Sequence, residues 1–453
     1  MISKKKLHLL PRRLIIPRNY SENLTQTSHA RDSLKENHRL DPKIFNKSEK
    51  LVSNIAKNVD RYRKYRNNNF NFLSTAQEIL DKADPHFLGD GKDTFVKFYE
   101  TEYVEKEFFE FERVYKFRTK VRVYLPQDKQ TGKTLLSEEQ VGNNSSNFTN
   151  PKIPKIIALH GGGYCLCTID RYHRCYRSLS NELGAIIYAI DYQRAPKYAM
   201  PHSLNECIAV SKAILNENEN KSMTIFGDSA GGHAGLNAIF ELADLAEADP
   251  ENSKQHLPKN GIFMYPWITI NKTAESYYQS LSVNCHYRKI LASFILNHID
   301  EVEYNLATEN LYLQLAQGDS VSEMISKSDD PHLSSQINFI KNYINQPKMS
   351  IDMRPDLYLK KFKNQDINLQ FFLSNLDALY DEGVEFTNRL KNLSSNSNST
   401  SKIENVTCRG TTHAWFQLFA SQSRYGYRIK DSWTPMHDEE YDRVIGFMRR
   451  FLE

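Results

Sequence analysis

Short apolar runs, separated by longer segments of mixed character, recur along the middle and C-terminal parts of the chain. Runs of this kind are typical of buried parallel strands that alternate with helices. We expect strands of this kind at residues 156–159, 186–190, 223–226, 262–265 and 369–373, and residues 403–408 alternate like a final strand. Residues 103–115 and 121–125 alternate like an antiparallel pair that opens the sheet. The pattern predicts an α/β fold with a doubly wound, mostly parallel sheet.

The strand at residues 223–226 runs into the sequence GDSAG at 227–231, and a helix-compatible stretch follows at 234–245. A G-x-S-x-G turn between a strand and a helix holds its serine on a sharp bend with the hydroxyl exposed. A single match to this short motif is commonly accidental. If the motif is functional, Ser229 is a nucleophile and Ala230, the next residue, contributes an oxyanion donor.

A second glycine-rich turn, HGGGY at 160–164, follows the strand at 156–159. Glycines without a Cβ let backbone N–H groups approach a substrate oxygen closely, as stabilising a tetrahedral oxyanion requires. A glycine triplet alone is commonly an ordinary turn. The two motifs occur in the order that an α/β-hydrolase requires, each after a predicted strand, and together they indicate an esterase.

The same arrangement requires an acid and then a base in loops after later strands. Asp377 lies just past the strand at 369–373, and His413 follows the strand at 403–408. Such residues are commonly turn formers, caps or structural side chains, but their position in the order Ser, Asp, His favours a triad. Asp381 and Glu382 compete for the acid role, although they lie a turn further on in a predicted helix.

These motifs resemble those of the hormone-sensitive-lipase family of α/β-hydrolases, the HGGG type of esterases and lipases. DYQRAPKYAMP at 191–201 is similar to the family's DYRLAPEHPFP, and YPW at 265–267 to its YPW. DALYDEG at 377–383 resembles its D-x-L-x-D-E-G, whose first aspartate is the triad acid. The resemblance runs from about residue 104 to the C-terminus and implies an α/β-hydrolase fold with a helical cap.

The resemblance implies Ser229 as nucleophile, His413 as general base and then acid, and Asp377 as the residue that orients the imidazole. The chain departs from the family at His233, where Asn is usual after GDSAGG, and at HAWF 413–416, which replaces the commoner HGF form. Residues 345–359 match the family only loosely, so the resemblance says least about the substrate.

The resemblance also implies backbone oxyanion donors at Gly162, Gly163 and Ala230. Neighbouring residues are candidates for supporting or substrate-lining roles: His160, Tyr164 and Asp228. The alternatives are ordinary packing for the tyrosine and a helix N-cap for the aspartate.

These residues predict a serine carboxylic ester hydrolase that acts on short acyl esters, including acetyl esters, of a small or lipid-like alcohol through an acyl-enzyme. An amidase or peptidase with the same triad is a second possibility. A third is a non-catalytic ligand-binding protein, as in the plant gibberellin receptors, which resemble these esterases but have lost a triad residue. All three triad positions are filled here, which disfavours that interpretation.

The composition limits the kinds of partner and cofactor that we expect. A formal net charge of +4 on 453 residues disfavours a general nucleic-acid binder. The six cysteines show neither zinc-site spacing nor a dense disulfide framework, and no cofactor or metal motif occurs. Free thiols suit a reducing compartment, so we expect an intracellular, cytoplasmic protein whose partner is a small-molecule or lipid ester.

The predicted triad and glycine loop extend from residue 160 to residue 413, so we expect a single hydrolase domain over residues 51–453. Residues 1–50 form a basic, flexible extension; a mitochondrial transit peptide or a membrane-surface contact would also fit them. Within the domain we expect a cap helix at 51–84, a disordered loop at 127–150, and a cap insertion at 271–350, whose alternative is packing on the sheet edge. No stretch is long and apolar enough to span a bilayer.

Overall fold

Eight strands form one sheet in the computed structural model, in the spatial order β1-β2-β4-β3-β5-β6-β7-β8. The structure describes residues 94–105, 112–127, 134–136, 153–164, 167–194, 198, 201–218, 222–249, 257–269, 346–362, 365–375, 377, 379–393, 401–411, 413–417 and 435–452. All of them belong to one compact unit of the chain, residues 43–453.

The strands are β1 (Thr94–Glu105), β2 (Arg113–Tyr124), β3 (Lys155–Leu159), β4 (Ile186–Asp191), β5 (Met223–Asp228), β6 (Asn260–Met264), β7 (Asn368–Ser374) and β8 (Ile403–Cys408). The helices in the described ranges are α1 (His173–Leu183), α2 (His202–Glu217), α3 (Ala230–Ala248), α4 (Asp356–Phe362), α5 (Tyr380–Asn392) and α6 (Pro435–Leu452), with a short 3-10 helix at Ile351–Met353.

The strands from β3 to β8 are parallel, whereas β2 pairs antiparallel with both β1 and β4. Helices cover both faces of the parallel part, and for this reason β3 to β7 are mainly apolar runs, whereas the edge strand β8 alternates. One face packs on α2, α3 and α5 through residues such as Ile208, Phe240 and Phe386. The other packs on α1 and α6 through residues such as Tyr176 and Val444. The predicted α/β fold with a mostly parallel sheet is confirmed.

The order of the strands sets the position of the site. β3, β5, β6, β7 and β8 lie side by side and point the same way, so their carboxyl ends meet at one edge of the sheet. Loops that leave this edge are the usual place for ligands and catalysis in parallel sheets. The loops after β3, β5, β7 and β8 carry the four sequence segments that predicted a hydrolase.

The opening strand pair was placed wrongly. The sequence predicted strands at residues 103–115 and 121–125, but β1 begins at Thr94 and β2 runs from Arg113 to Tyr124. Several apolar residues of this ribbon face solvent, among them Phe98 and Val114, each 58% exposed. Because these residues break the rule that apolar side chains point inward, the alternation did not mark where the strands begin and end.

Residues 127–150 were predicted as a disordered loop, and the part that is described differs. Gln127 forms an isolated antiparallel bridge with Thr134, the Leu135 N–H donates to the Pro126 carbonyl, and Leu136 is buried in the core. The buried Leu136 therefore holds this short piece of an otherwise polar segment against the core. The N-terminal extension at 1–50, the cap helix at 51–84 and all of the 271–350 insertion up to residue 345 lie outside the described residues.

Candidate active site

Ser229 lies between β5 and α3 in a strained backbone conformation, with φ 54° and ψ −120°. A positive φ is costly for a residue with a side chain and is found where a turn is held by its surroundings. Here the turn is so tight that a Cβ at Gly231 would lie 2.0 Å from the Leu159 carbonyl oxygen. Glycine at that position lets α3 start directly against β3, and the serine side chain is left at the carboxyl edge of the sheet.

A chain of hydrogen bonds connects the three residues predicted as a triad. His413 Nε2 lies 2.9 Å from the Ser229 Oγ, and its Nδ1 lies 2.6 Å from Asp377 Oδ2. Asp377 is buried, and its Oδ1 accepts the Leu379 N–H at 3.0 Å. The structure thus brings together side chains from the loops after β5, β7 and β8 in the geometry that a serine nucleophile, a base and an orienting acid require.

The environment of His413 favours a neutral ring. Burial lowers the pKa of the imidazole below its usual 6.5, because a charged ring would lose its hydration. The Asp377 carboxylate acts in the opposite direction by stabilising the cation. Since the carboxylate only accepts, Nδ1 carries the proton and Nε2 keeps a lone pair directed at the Ser229 hydroxyl. His413 is therefore in the state needed to accept a proton.

The glycine loop leaves β3 in left-handed turns, with φ 121° at Gly162 and 60° at Gly163. These residues and Ala230, the first residue of α3, follow the adjacent parallel strands β3 and β5 and lie at the same sheet edge as Ser229. This is the placement that an oxyanion hole needs. The role of the three N–H groups as donors stays a prediction.

Asp228 supports the glycine loop from below. Its Oδ1 accepts the Gly161 N–H at 3.0 Å and its Oδ2 accepts the Tyr172 hydroxyl at 2.7 Å. The residue at the N-cap of α3 is Ser229, with no side-chain cap bond, so Asp228 does not cap that helix. Burial raises the pKa of Asp228 to about 7, while the hydrogen bonds from Tyr172 and Gly161 oppose that rise. Of its two predicted roles, the supporting one fits the geometry.

His160 is enclosed in the core beneath the same loop. Its Nδ1 lies 2.8 Å from the Gly161 carbonyl oxygen, and its ring stacks on Tyr192 with centroids 4.1 Å apart. The Tyr192 hydroxyl donates to the His160 carbonyl at 2.7 Å. Burial lowers the pKa of His160 to about 3, so the ring is neutral. The contacts describe a residue that supports the backbone of the loop.

Tyr164, which ends the glycine loop, is fully buried, and its hydroxyl lies 2.7 Å from His233 Nδ1. Of its two predicted roles, packing fits this position. The side chain belongs to the core on the face of the sheet covered by α2, α3 and α5.

Glu382, the competing acid, has a different task from the one considered for it. Its carboxylate accepts the Ile268 N–H at 2.8 Å and the Thr269 N–H at 3.4 Å. It therefore braces the chain just after YPW 265–267. The backbone N–H of Trp267 donates to the Ser229 carbonyl at 3.1 Å. This bond links the segment to the turn that carries the candidate nucleophile.

Sequence reasoning missed Tyr172 as a supporting residue. Its hydroxyl both accepts the Gly161 N–H at 3.1 Å and donates to Asp228, and it lies between the two glycine motifs in space. Nothing in the stretch around it resembles a motif, since its importance comes from partners 11 and 56 positions away.

The described ranges limit the metals and membrane contacts that can be assigned. They contain no group of three or more His, Cys, Asp or Glu side chains placed to hold a metal ion. None of the helices in the same ranges combines the length and the apolar character needed to cross a membrane. Cys175, Cys207 and Cys408 are free thiols.

Comparison with known proteins agrees with the fold. Residues 156–312 match a family model described as alpha/beta hydrolase fold. The chain is 35% identical over 98 residues to human hormone-sensitive lipase, covering 20% of this chain and 9% of the lipase. It is 25% identical over 117 residues to carboxylesterase 20 of Arabidopsis thaliana, covering 23% and 36%.

A third relative is the versiconal hemiacetal acetate esterase stcI of Emericella nidulans, at 26% identity over 98 residues, with 21% of this chain and 34% of the relative covered. The chain spans about a third or less of the lengths of these curated relatives. A solved structure of a mutant of the esterase rPPE matches with a TM-score of 0.53 at 14% identity, over 90% of this chain and 97% of that one. At that identity it shows the fold alone.

The family model lies over the glycine loop and the nucleophile elbow, and the fold and the curated relatives agree with it. These findings support an α/β-hydrolase similar to the hormone-sensitive lipases and carboxylesterases.

Proposed function

We propose that this protein is a serine carboxylic ester hydrolase that cleaves short acyl esters, with acetyl esters among them, of a small or lipid-like alcohol. The observation that carries the proposal is the hydrogen-bonded series Ser229 Oγ, His413 Nε2, His413 Nδ1 and Asp377 Oδ2, with distances of 2.9 and 2.6 Å. A serine hydroxyl is a weak nucleophile unless a base of this kind takes its proton.

In the first half of the reaction, Ser229 Oγ attacks the ester carbonyl carbon while His413 Nε2 takes the hydroxyl proton. Asp377 stabilises the imidazolium through Nδ1–H. The carbonyl oxygen becomes an oxyanion, which the N–H groups of Gly162, Gly163 and Ala230 stabilise. His413 then returns its proton to the departing alcohol, and the acyl group stays on Ser229.

In the second half, water replaces the alcohol. His413 takes a proton from the water as it attacks the acyl-enzyme carbonyl, and the oxyanion forms again at the same N–H groups. When this intermediate collapses, the carboxylic acid leaves and Ser229 regains its proton from His413. No step needs a metal or an organic cofactor, because the triad supplies nucleophile, base and acid.

Support for a short acyl group comes from the name of a relative and not from the geometry of the site. The versiconal hemiacetal acetate esterase, to which the chain is 26% identical over 98 residues, acts on an acetate ester by its name. We extend this preference for a short acyl group to the present chain.

Hydrolysis of p-nitrophenyl esters from acetate to long acyl chains, by the native chain and by Ser229→Ala, tests the proposal. We expect activity on short chains that falls about 10⁴-fold or more in the variant. Ser211→Ala is the matched control, because Ser211 is a buried serine of α2, and it should leave the rate unchanged. Activity that rises with chain length would refute the short-acyl assignment and indicate a lipase.

A native chain without ester hydrolysis would refute the esterase proposal, and two further measurements would then assign the protein. Cleavage of the matched p-nitroanilides would indicate an amidase. Failure of Ser229 to react with a fluorophosphonate probe would indicate a ligand-binding protein, because the adduct needs an activated serine.

A further inference from the structure

Tyr164 is the residue of the glycine loop with the least favourable backbone. Its φ is 57°, in the left-handed region, and it directly follows the left-handed Gly163. Glycine adopts this conformation freely, but a tyrosine pays of order 1 to 2 kcal/mol for it. Such a conformation persists only where the surroundings hold it, and the side chain of Tyr164 is fully buried.

The hydroxyl of Tyr164 is bound to His233, which lies one helical turn after the elbow serine. The oxygen is 2.7 Å from His233 Nδ1, and the two rings meet edge to face at 5.8 Å. His233 lies in α3, and its backbone N–H donates to the Ser229 carbonyl at 3.1 Å. One side chain therefore joins the glycine loop to the helix that carries the nucleophile.

The other side of the imidazole decides the direction of this bond. His233 Nε2 lies 3.2 Å from the Met349 carbonyl oxygen. A carbonyl can only accept, so Nε2 carries the proton. Burial lowers the pKa of His233 to about 4, so the ring is neutral and Nδ1 keeps a lone pair; the Asn237 amide nitrogen also lies 3.5 Å from Nδ1. The Tyr164 hydroxyl must be the donor.

The backbone around Met349 is itself held in place. The Asn237 amide, also in α3, donates to the Lys348 carbonyl at 3.0 Å, and the Ile351 N–H donates to the Ile268 carbonyl at 2.8 Å. The carbonyl that fixes the His233 ring is thus attached to the same helix and to the segment after YPW 265–267. The orientation of the imidazole is determined by rigid neighbours.

We propose that His233 is a positioning residue of the active site, which holds Tyr164 in its left-handed conformation and thereby fixes the Gly162 and Gly163 N–H groups for the oxyanion. Met349 acts behind it by setting the tautomer of the ring. The inference rests on the proposed esterase function and adds a residue at which this chain departs from its family, since Asn is usual there.

Loss of this support should affect kcat and KM differently. The oxyanion exists in the transition state and not in the bound ester, so a loosened loop lowers kcat and leaves KM nearly unchanged. Complete loss of an oxyanion donor costs about 10² to 10³ in kcat. Displacement of a donor that is still present should lower kcat less, and we expect about a tenfold loss in kcat.

The experiment compares kcat and KM of Tyr164→Phe, His233→Leu and His233→Asn on p-nitrophenyl acetate. Tyr164→Phe removes one oxygen and His233→Leu removes its acceptor, so both should lose about tenfold in kcat, as should the double variant. His233→Asn should recover most of kcat, because its Oδ1 can take the place of Nδ1 as acceptor. Inhibition constants for a trifluoromethyl ketone, whose adduct with Ser229 carries an oxyanion, should rise by the same factors.

Tyr124→Phe is the matched control. It removes another buried tyrosine hydroxyl that faces a histidine Nδ1, that of His173 at 3.3 Å, without a contact to the predicted triad. Its kcat should stay at the native value, whatever it loses in stability by urea unfolding. If His233→Leu does not fold, Tyr164→Phe still decides, since it only deletes one atom.

A native kcat in Tyr164→Phe would overturn the proposal, as would a His233→Asn variant no better than His233→Leu. Equal losses in Tyr124→Phe would show that the effect is general destabilisation. These failures differ from failure of the proposed function, which would appear as absence of ester hydrolysis in the native chain and would refute both.

Discussion

The two ends of the parallel strands use left-handed backbone in different ways. At the carboxyl edge, in the loops after β3, β5, β6 and β8, several residues with side chains have φ between 35° and 67°: Tyr164, Cys167, Ser229, Tyr265 and Ala414. At the amino edge, α1 ends at Gly184 with φ 60°, two residues before β4 begins. There a glycine takes the turn without strain, and the other described left-handed residue at this edge, Asp366 before β7 with φ 58°, is exposed.

The difference shows where the fold needs residues with side chains in an unfavourable backbone conformation. At the amino edge the turns only have to reverse the chain, so a glycine or an exposed aspartate suffices. At the carboxyl edge two of the residues in strained positions serve the candidate site: Ser229 is part of it, and Tyr164 is bound to His233, which holds it. For these two residues we infer that strain is kept because the candidate site requires their side chains, which agrees with the usual clustering of strain at active sites.

The largest effect that separates the two edges is expected for Asp377→Asn. The amide can present its NH₂ to His413 Nδ1 and so stabilise the wrong tautomer, which should lower kcat about 10⁴-fold. Asp366→Asn is the same change at the amino edge, at an exposed residue with φ 58°, and asparagine tolerates that conformation. Kinetics on p-nitrophenyl acetate should show a native rate for it; a comparable loss in both variants would contradict the assignment of Asp377.

A sharper test uses two glycines with the same backbone. Gly163 and Gly184 both have φ 60°, so alanine should destabilise the protein at each by about 1 kcal/mol in urea unfolding. Only Gly163→Ala changes the loop that we assign to the oxyanion, and we expect its kcat to fall about 10²-fold. Nothing lies within 4 Å of a Cβ at Gly184, so Gly184→Ala should keep the native kcat. Equal kcat in the two variants would remove the glycine loop from the mechanism.

A smaller loss is expected when support for the loop is removed. Tyr172→Phe deletes the hydroxyl that bonds both Gly161 N–H and Asp228, and a net hydrogen bond of about 1 kcal/mol corresponds to roughly a five- to tenfold change in kcat. Tyr176→Phe is the control, because the Tyr176 hydroxyl is buried without a hydrogen-bond partner among the described residues. If the two variants behave alike, Tyr172 serves packing only.

The smallest expected effect is in the pH dependence. His413 must be neutral to act as base, and burial lowers its pKa below 6.5, so the active form persists to lower pH and is lost as pH falls through that lowered pKa. Between pH 7 and pH 5.5 we expect kcat/KM to fall by less than about twofold, whereas a pKa of 6.5 would give about eightfold. A fall centred near pH 7 would instead report Asp228, whose pKa is raised to about 7, and it should vanish in Asp228→Asn.

Much of the sheet follows from local pattern. The parallel strands were predicted within one or two residues, because strands covered on both faces are continuous apolar runs that end at polar turns. β1 and β2 were misplaced for the opposite reason, since exposed apolar residues such as Phe98 blur the alternation. Burial is a property of the folded molecule, and a pattern shows it only where the covering is complete.

The sequence by itself determined the fold and the residues proposed as nucleophile, base and acid, because strand-bound motifs in a fixed chain order encode them locally. Only the tertiary structure decided that Asp228 supports the glycine loop, that Glu382 braces the chain after YPW 265–267, and that His233 holds Tyr164. Each of these contacts joins residues between 67 and 114 positions apart. Hydrogen bonds of that range depend on how the strands are ordered and how the helices pack, and no local pattern of residues records either.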